Sequence, residues 1–321
     1  MYCLVCPFTK TFDEVGITYI VPDFLTEQLN LGQIVEIPLN KKITYGIVLN
    51  ISKKANIDFN EKKLKKIISI KDENIYLNKY RVELIKWIAK YYFTAIHNSF
   101  NLFLPKNLKE KIIKNKVTDL FLCDNLNYKY DNNTILSGNQ LNAYNNIVNS
   151  KNNKILLYGL TGSGKTEIYI KLIKDNLDKN KQSLFLIPEI ILTNQLSEKI
   201  KKIFGKNVLI INSTITEAKK TKNWLKINNN DAKIIIGTRS AIFYPFNNLG
   251  LIIIDEEHDN SYISDSSPRY NTIEVAEKIT ELNGNKLILG SGTPSINSMF
   301  KAVNKQYHLI SLLTKYNKNS I

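Results

Sequence analysis

From Ile17 to Ser52 hydrophobic and polar positions alternate, and the hydrophobic ones favour β-branched residues, as in Gln33-Ile34-Val35-Glu36-Ile37 and Thr44-Tyr45-Gly46-Ile47-Val48-Leu49. A period of two predicts half-buried strands, and Asn40-Lys41-Lys42 between two such runs predicts a hairpin connection. Between Asn78 and Ile96 the spacing becomes helical: Val82, Ile85, Ile88 and Tyr92 recur on one face, with Trp87 and Tyr91 widening the stripe. Aromatics at that spacing are expected in a core sooner than on a ligand platform, and Pro105 is expected to close this unit. Residues 106–136 are rich in Lys and Asn with weak periodicity, so they read as a linker or a reduced subdomain. From Gln140 onward short apolar runs alternate with amphipathic stretches: Lys154–Tyr158, Ser183–Ile187, Val208–Ile211, Lys233–Ile236, Leu249–Ile254 and Lys286–Leu289. Such runs separated by helices predict a parallel sheet covered on both faces. The organisation expected is therefore a small β-rich domain with a closing helix over 1–105, the segment 106–136, and an α/β lobe over 137–321.

Charge changes the picture modestly. The 321 residues carry 44 Lys and Arg against 29 Asp and Glu, a net charge of +15, which suits a polyanionic partner through counterion release. Lys, Asn and Ile are abundant throughout, however, as in Lys151-Asn152-Asn153-Lys154 and Asn228-Asn229-Asn230, so A+T-rich coding would also supply many of the lysines. Three cysteines, Cys3, Cys6 and Cys123, are too few for a disulfide framework. No stretch approaches the roughly 18 to 20 apolar residues of a membrane span, and Met1 to Lys10 lacks the pattern of a signal peptide. The expected compartment is a reducing cytoplasm. Cys3-Leu4-Val5-Cys6 has the spacing of half a zinc site, without a second pair to complete it.

The chemistry is carried by two strand ends. Ile155-Leu156-Leu157-Tyr158 runs into Gly159-Leu160-Thr161-Gly162-Ser163-Gly164-Lys165-Thr166, followed by a helix pattern with Ile168, Leu172 and Ile173. This is a P-loop in its required context: the glycines let backbone N–H groups curl around phosphate oxygens, Lys165 reaches the β and γ phosphates, and the Thr166 hydroxyl ligates Mg²⁺. Downstream, Leu251-Ile252-Ile253-Ile254 delivers Asp255-Glu256-Glu257-His258 at the strand end where ligands bind in open α/β sheets. Asp255 is expected to hold Mg²⁺ and Glu256 to orient and deprotonate the attacking water, a pairing that favours ATP hydrolysis over small-molecule phosphorylation. Gln140, upstream of the P-loop, is a candidate for the adenine edge, although a Gln at a helix start is often merely solvated. Gly237-Thr238-Arg239-Ser240 follows a strand and offers hydroxyls and a guanidinium to a phosphate backbone. Gly290-Ser291-Gly292-Thr293-Pro294-Ser295 follows another, near where a hydrolysis signal would pass to DNA. Together, in this order, these elements point to a motor of the helicase type.

The motifs extend past that generic core. Gly159 to Tyr169, Leu186-Ile187-Pro188-Glu189-Ile190-Ile191-Leu192-Thr193, Ile236 to Phe243 and the Asp255-Glu256-Glu257-His258 box resemble the PriA family, the primosomal N′ proteins that restart stalled bacterial replication forks. Ser261-Tyr262 and Pro268-Arg269-Tyr270 resemble that family's aromatic-rich loop, which implies roles in DNA coupling for Tyr262, Arg269 and Tyr270. The segments Ile17–Pro22, Val35–Pro38 and Tyr45–Val48 resemble its domain for capturing the 3′ end of a nascent leading strand. The implied fold is a RecA-like P-loop lobe preceded by a small β-rich DNA-binding domain. The family's 3′-end pocket often presents Asp, Gly and Lys; the matching positions here are Thr18, Asn40 and Lys65, so the lysine alone is kept. Asn212-Ser213 stands where relatives commonly have His-Ser, and Gly292 where they commonly have Ala.

The resemblance also implies ATP, Mg²⁺, forked or single-stranded DNA, and primosome and helicase-loading proteins as partners, with 3′-to-5′ polarity. The family's winged helix, second lobe with its arginine finger, and zinc-binding cysteine cluster are expected to have no counterpart in these residues. The chain alone is accordingly expected to bind ATP weakly and hydrolyse it poorly. Two other readings stand beside this one: a fork-DNA-binding module without motor activity, and a general DNA or RNA translocase. The front β domain and the residues around Tyr262 and Arg269 speak against the latter.

Overall fold

The computed structural model describes residues 1–10, 15–54, 64–116, 135–189, 194–212 and 215–315. It divides into two compact units, Met1–Asp119 with Asp265–Tyr270, and Leu120–Ser264 with Asn271–Ile321.

In the first unit the alternating sequence forms a five-stranded antiparallel sheet of β1 (Tyr2–Pro7), β2 (Ile17–Ile20), β3 (Gln33–Leu39), β4 (Lys42–Ser52) and β5 (Ser69–Ile75), in the order β2-β1-β4-β3-β5. The predicted hairpin is present: Asn40 and Lys41 join β3 to β4, both left-handed at φ 47° and 63°. That handedness matches the twist of the flanking strands, and Asn tolerates it well. Cys3, Val5, Tyr19, Val35, Ile37 and Val48 form one core on this sheet.

Helices α1 (Lys79–Tyr91), α2 (Ile96–Asn101) and α3 (Lys106–Ile113) follow. The Asn78 side chain caps α1 by accepting from Arg81 N–H at 3.3 Å. Two readings change here. The stretch 78–96 breaks after Tyr91, because Phe93 turns left-handed at φ 48° and Thr94 N–H closes on Ala89 O at 3.0 Å. Pro105 is the N-cap of α3, so the 106–136 stretch opens with a helix, whose Leu108 and Ile112 are buried while the Lys71 ammonium donates to Ile113 O at 3.1 Å. One pair of apolar residues spaced four apart is too little periodicity to announce a helix. The rest of the 106–136 stretch falls largely on 117–134, outside the described residues, as does Cys123.

The second unit is a seven-stranded parallel sheet. Its strands are β6 (Lys154–Gly159), β7 (Gln182–Leu186), β8 (Val208–Ile211), β9 (Ile234–Gly237), β10 (Leu249–Ile254), β11 (Lys286–Ser291) and β12 (His308–Leu312), in the order β12-β6-β11-β10-β7-β9-β8. The six predicted strands are all there. β12 adds an edge strand, whose alternating exposure and short length give it no continuous apolar run. Helices α4 (Gly138–Asn149), α5 (Lys165–Asp178), α6 (Asn194–Phe204), α7 (Glu217–Asn228), α8 (Thr272–Asn283) and α9 (Ile296–Val303) alternate with the strands. Isoleucines and leucines of β6, β7, β9 and β10 are buried, as strands covered on both faces require. Among the described residues, no helix is long and apolar enough to cross a membrane.

Candidate nucleotide site and its relatives

The site sits where β6, β10 and β11 end. Backbone geometry shapes the phosphate loop: Gly162 and Gly164 are left-handed at φ 79° and 86°. At Gly164 any Cβ would also strike Gln140 Nε2 at 2.1 Å, so no other residue fits without displacing that amide. Gly164 is the N-cap of α5 and offers no side chain to the first-turn N–H groups, leaving them for an anion. Ser163 Oγ is buried with no hydrogen-bond partner, and the space over Gly162 is open. An orphan hydroxyl and uncapped amides around an open turn fit a phosphate chain. Gly159 and Thr161 flank this turn, Thr161 exposed and Thr166 half-buried on the first turn of α5.

Lys165 is buried, and its ammonium donates to Gly159 O at 2.8 Å while lying 3.8 Å from Glu256 Oε1. The P-loop cation and the candidate base are thus brought together across β11. Asp255 lies beside them and accepts from the Tyr169 hydroxyl at 3.0 Å. Burial first, and the neighbouring Glu256 charge second, push its carboxyl up to about 6, against the Tyr169 hydrogen bond and Lys165. Two crowded carboxylates beside one ammonium are short of positive charge, which suits the site to a divalent cation. Tyr169 reaches Asp255 because residue 290 is Gly: a Cβ there would meet the tyrosine oxygen at 1.7 Å.

Glu256 itself is left-handed at φ 46°. A non-glycine residue there costs about 1 to 2 kcal/mol, and such strain persists where surrounding structure imposes it. The restraints flank it directly. Asp255 N–H donates to Leu186 O at 3.0 Å, Glu257 N–H to Gly290 O at 3.0 Å, and Asp259 N–H to Glu256 O at 2.9 Å.

Glu257 has a role that local sequence does not announce. It is 2% exposed, and its carboxylate accepts from Ser295 N–H at 2.6 Å, Ser295 Oγ at 3.0 Å and Ser298 Oγ at 2.8 Å. His258 Nδ1 lies 2.8 Å from Ser291 Oγ. The acidic turn is thereby fastened to the Gly290–Ser295 loop and the start of α9. Each partner is remote in sequence, so no local pattern could have revealed these contacts.

Other expected site residues are placed differently. Gln140 is neither solvated nor free: its Oε1 accepts from Ser137 N–H at 2.9 Å and its Nε2 donates to Ser163 O at 3.2 Å, bracing the phosphate loop. Thr238 is buried with Oγ1 unpartnered, and Ser240 is exposed. Arg239 donates to Ser261 O at 3.1 Å and Ile263 O at 2.6 Å, so its guanidinium holds the loop after the acidic box. Tyr262 faces inward, its hydroxyl donating to Asp255 O at 2.7 Å, and Tyr270 is likewise buried. Arg269 is exposed. Lys65 is exposed in the first unit, where its carbonyl accepts from Ile20 N–H at 2.9 Å beside β2, the strand of Thr18. Ile190 to Thr193 and Ser213 lie outside the described residues. The Cys3-to-Cys6 spacing is that of β1, and burial pushes both thiols up to about 12, unsuited to metal. Among the described residues no three His, Cys, Asp or Glu side chains converge as a metal cage.

A phosphate-shaped loop and an acidic turn at the ends of one parallel sheet define a P-loop nucleotide site, and the DEAD/DEAH box helicase profile matches residues 137–301. The chain belongs to the DEAD/DEAH box helicase family. The 3′DNA-binding domain (3′BD) profile of PriA matches residues 3–105, and over both regions the chain is similar to the N-terminal part of replication restart protein PriA. It is 36% identical to PriA of Rickettsia conorii over 316 residues, 98% of this chain and 46% of that protein. With PriA of Helicobacter pylori (strain ATCC 700392 / 26695) the identity is 34% over 275 residues, 86% of this chain and 41% of that protein. With PriA of Bacillus subtilis it is 44% over 162 residues, 50% of this chain and 20% of that protein. The chain spans about half the length of the Rickettsia relative it matches.

Proposed function

We propose that this chain supplies the first motor lobe and the DNA-capturing domain of an ATP-dependent, 3′-to-5′ DNA helicase of replication restart. It would bind stalled or forked DNA in the cytoplasm and promote primosome assembly and loading of the replicative helicase. The observation that carries this reading is the meeting of Lys165 and Glu256 at 3.8 Å, in a chain whose front unit matches a 3′DNA-binding domain.

In this reading the Gly159–Thr166 backbone and the α5 N-terminus hold the phosphates, with Ser163 Oγ gaining a partner it lacks. Lys165 turns from Gly159 O toward the terminal phosphates, releasing Glu256 from its ion pair. Thr166 and Asp255 would hold Mg²⁺, which would neutralise charge on the phosphates and offset the upward push on the Asp255 carboxyl. Glu256 orients the water and takes its proton. Glu257 and His258 tie the acidic turn to Ser291 and Ser295, so displacement of Glu256 reaches the loop ahead of α9. On the DNA side, exposed Ser240, Arg269 and Lys65 are available as they stand, whereas Thr238, Arg239, Tyr262 and Tyr270 reach DNA after the loop that Arg239 holds has opened.

The test is the steady-state ATPase rate with and without a fork carrying a leading-strand 3′ end, alongside binding to the same fork. Stimulation by the fork supports the motor reading. Fork binding without any hydrolysis would replace it with a DNA-docking module, and absence of fork binding would remove both.

A further inference from the structure

The C-terminal end of α1 carries an aromatic cluster that stays partly exposed. Trp87 stacks on Tyr91 with ring centroids 4.7 Å apart and planes 18° from parallel. Tyr92 meets these rings edge-on, at 5.9 Å from Trp87 and 4.9 Å from Tyr91. Trp87 is half-buried, Tyr91 is 49% exposed, and Phe93 is 96% exposed.

Phe93 is unexplained twice over. Its φ of 48° is a conformation that glycine adopts freely and bulky residues rarely do. The helix-ending bond from Thr94 N–H to Ala89 O needs a left-handed residue at this position, for which Gly or Asn serves better. Burial does not account for the side chain either, since almost all of it faces solvent. Lys90 is exposed on the same turns of α1, and Lys86 is half-buried and paired with Glu83 at 2.9 Å, an exchangeable surface ion pair, in a chain of net charge +15.

We propose that Phe93 and the Trp87–Tyr91 stack form a platform for unpaired bases of a single DNA strand, with Lys86 and Lys90 beside its phosphates. The proposal rests on the DNA-binding reading of this unit and adds a contact to bases. The rings favour bases over an aliphatic partner because flat π faces accept any nucleobase, and the lysines complement the strand's charge. The elements involved are separate from those carrying Thr18, Asn40 and Lys65.

Trp87 is its own reporter, because Trp224 is buried in the other unit. The intact chain is titrated with an oligothymidylate and with an abasic strand of equal length. The platform predicts quenching of tryptophan emission by the oligothymidylate, loss of that quenching in Trp87→Phe, and little quenching by the abasic strand. It also predicts that Phe93→Gly weakens oligothymidylate binding about tenfold, as loss of one stacked base would, while raising the thermal midpoint by relieving the left-handed strain. A lowered midpoint with unchanged affinity would make Phe93 merely structural and overturn the proposal. Equal binding of both strands without quenching would overturn it while leaving DNA binding intact, and failure to bind any DNA would remove both.

Discussion

Truncating Glu257 should loosen the acidic turn from α9 out of proportion to its place behind the candidate catalytic carboxylate. The carboxylate is buried and accepts three hydrogen bonds, one from a backbone N–H and two from serine hydroxyls. In Glu257→Ala the hydroxyls can find other partners by rotation, but Ser295 N–H is left facing a cavity. Hydrogen bonds to a charged group are worth about 1.5 to 3 kcal/mol each and do not add fully, so the expected cost is about 3 to 4 kcal/mol. Glu257→Gln keeps an oxygen for Ser295 N–H, and its amide can donate to a reoriented hydroxyl, leaving a loss of about 1 kcal/mol. At roughly 2 to 4 °C per kcal/mol for a unit of this size, thermal midpoints should fall by roughly 6 to 16 °C for Ala and about 2 to 4 °C for Gln. Circular dichroism melts measure the shift, and amide exchange at Ser295 to Ser298 localises it. If Ala cost less than about 1 kcal/mol, or no more than Gln, the carboxylate would not be the fastening that its contacts indicate.

Other perturbations follow from the same contacts. Tyr169→Phe removes the hydroxyl that opposes the upward push on Asp255, so the Asp255 carboxyl should titrate higher still in the free protein, read by carboxyl-resolved NMR. Arg239→Ala removes the donor to Ser261 O and Ile263 O, and amide exchange across Ser261 to Ser264 should quicken with little change in global stability. His97 is held below its ordinary 6.5 by burial foremost, with Lys109 and Lys10 adding to this and its hydrogen bond to Pro7 O opposing it. As Nδ1–H must donate to that carbonyl, Nε2 accepts from Asn101 Nδ2 at 2.9 Å in the neutral ring. The unfolded chain therefore takes up a proton that the folded one refuses as pH falls below about 6.5, and stability declines there while being unaffected above it. His97→Gln should flatten that slope in urea melts between pH about 7.5 and 5.5, and an unchanged slope would exclude His97 as its source.

The sheet of the second unit was legible because its central strands are covered on both faces and so read as unbroken apolar runs. The Asn40-Lys41 turn was legible because left-handed pairs have few sequence solutions. Failures came where a short element is stabilised from outside: β12 borrows its pairing from β6, and α3 buries only Leu108 and Ile112. The aromatics of α1 have core spacing, yet Tyr91, at its last residue, is half exposed. At the candidate site, local motifs single out Lys165, Thr166, Asp255 and Glu256, and the fold brings Lys165 within 3.8 Å of Glu256. Their settings were not legible in those motifs. The bracing of the P-loop by Gln140, the Tyr169–Asp255 bond through the gap at Gly290, and the inward turn of Tyr262 join residues far apart in the chain.

The most direct test of the central claim is titration of a fluorescent ATP analogue with Mg²⁺ into the wild-type chain, Lys165→Ala and Glu256→Gln, with turnover of ATP followed on the same samples. A nucleotide site built on the Lys165–Glu256 meeting predicts binding by wild type and Glu256→Gln, loss of binding in Lys165→Ala, and turnover that Glu256→Gln lowers by at least about a hundredfold. Unimpaired binding by Lys165→Ala, or full turnover by Glu256→Gln, would contradict it.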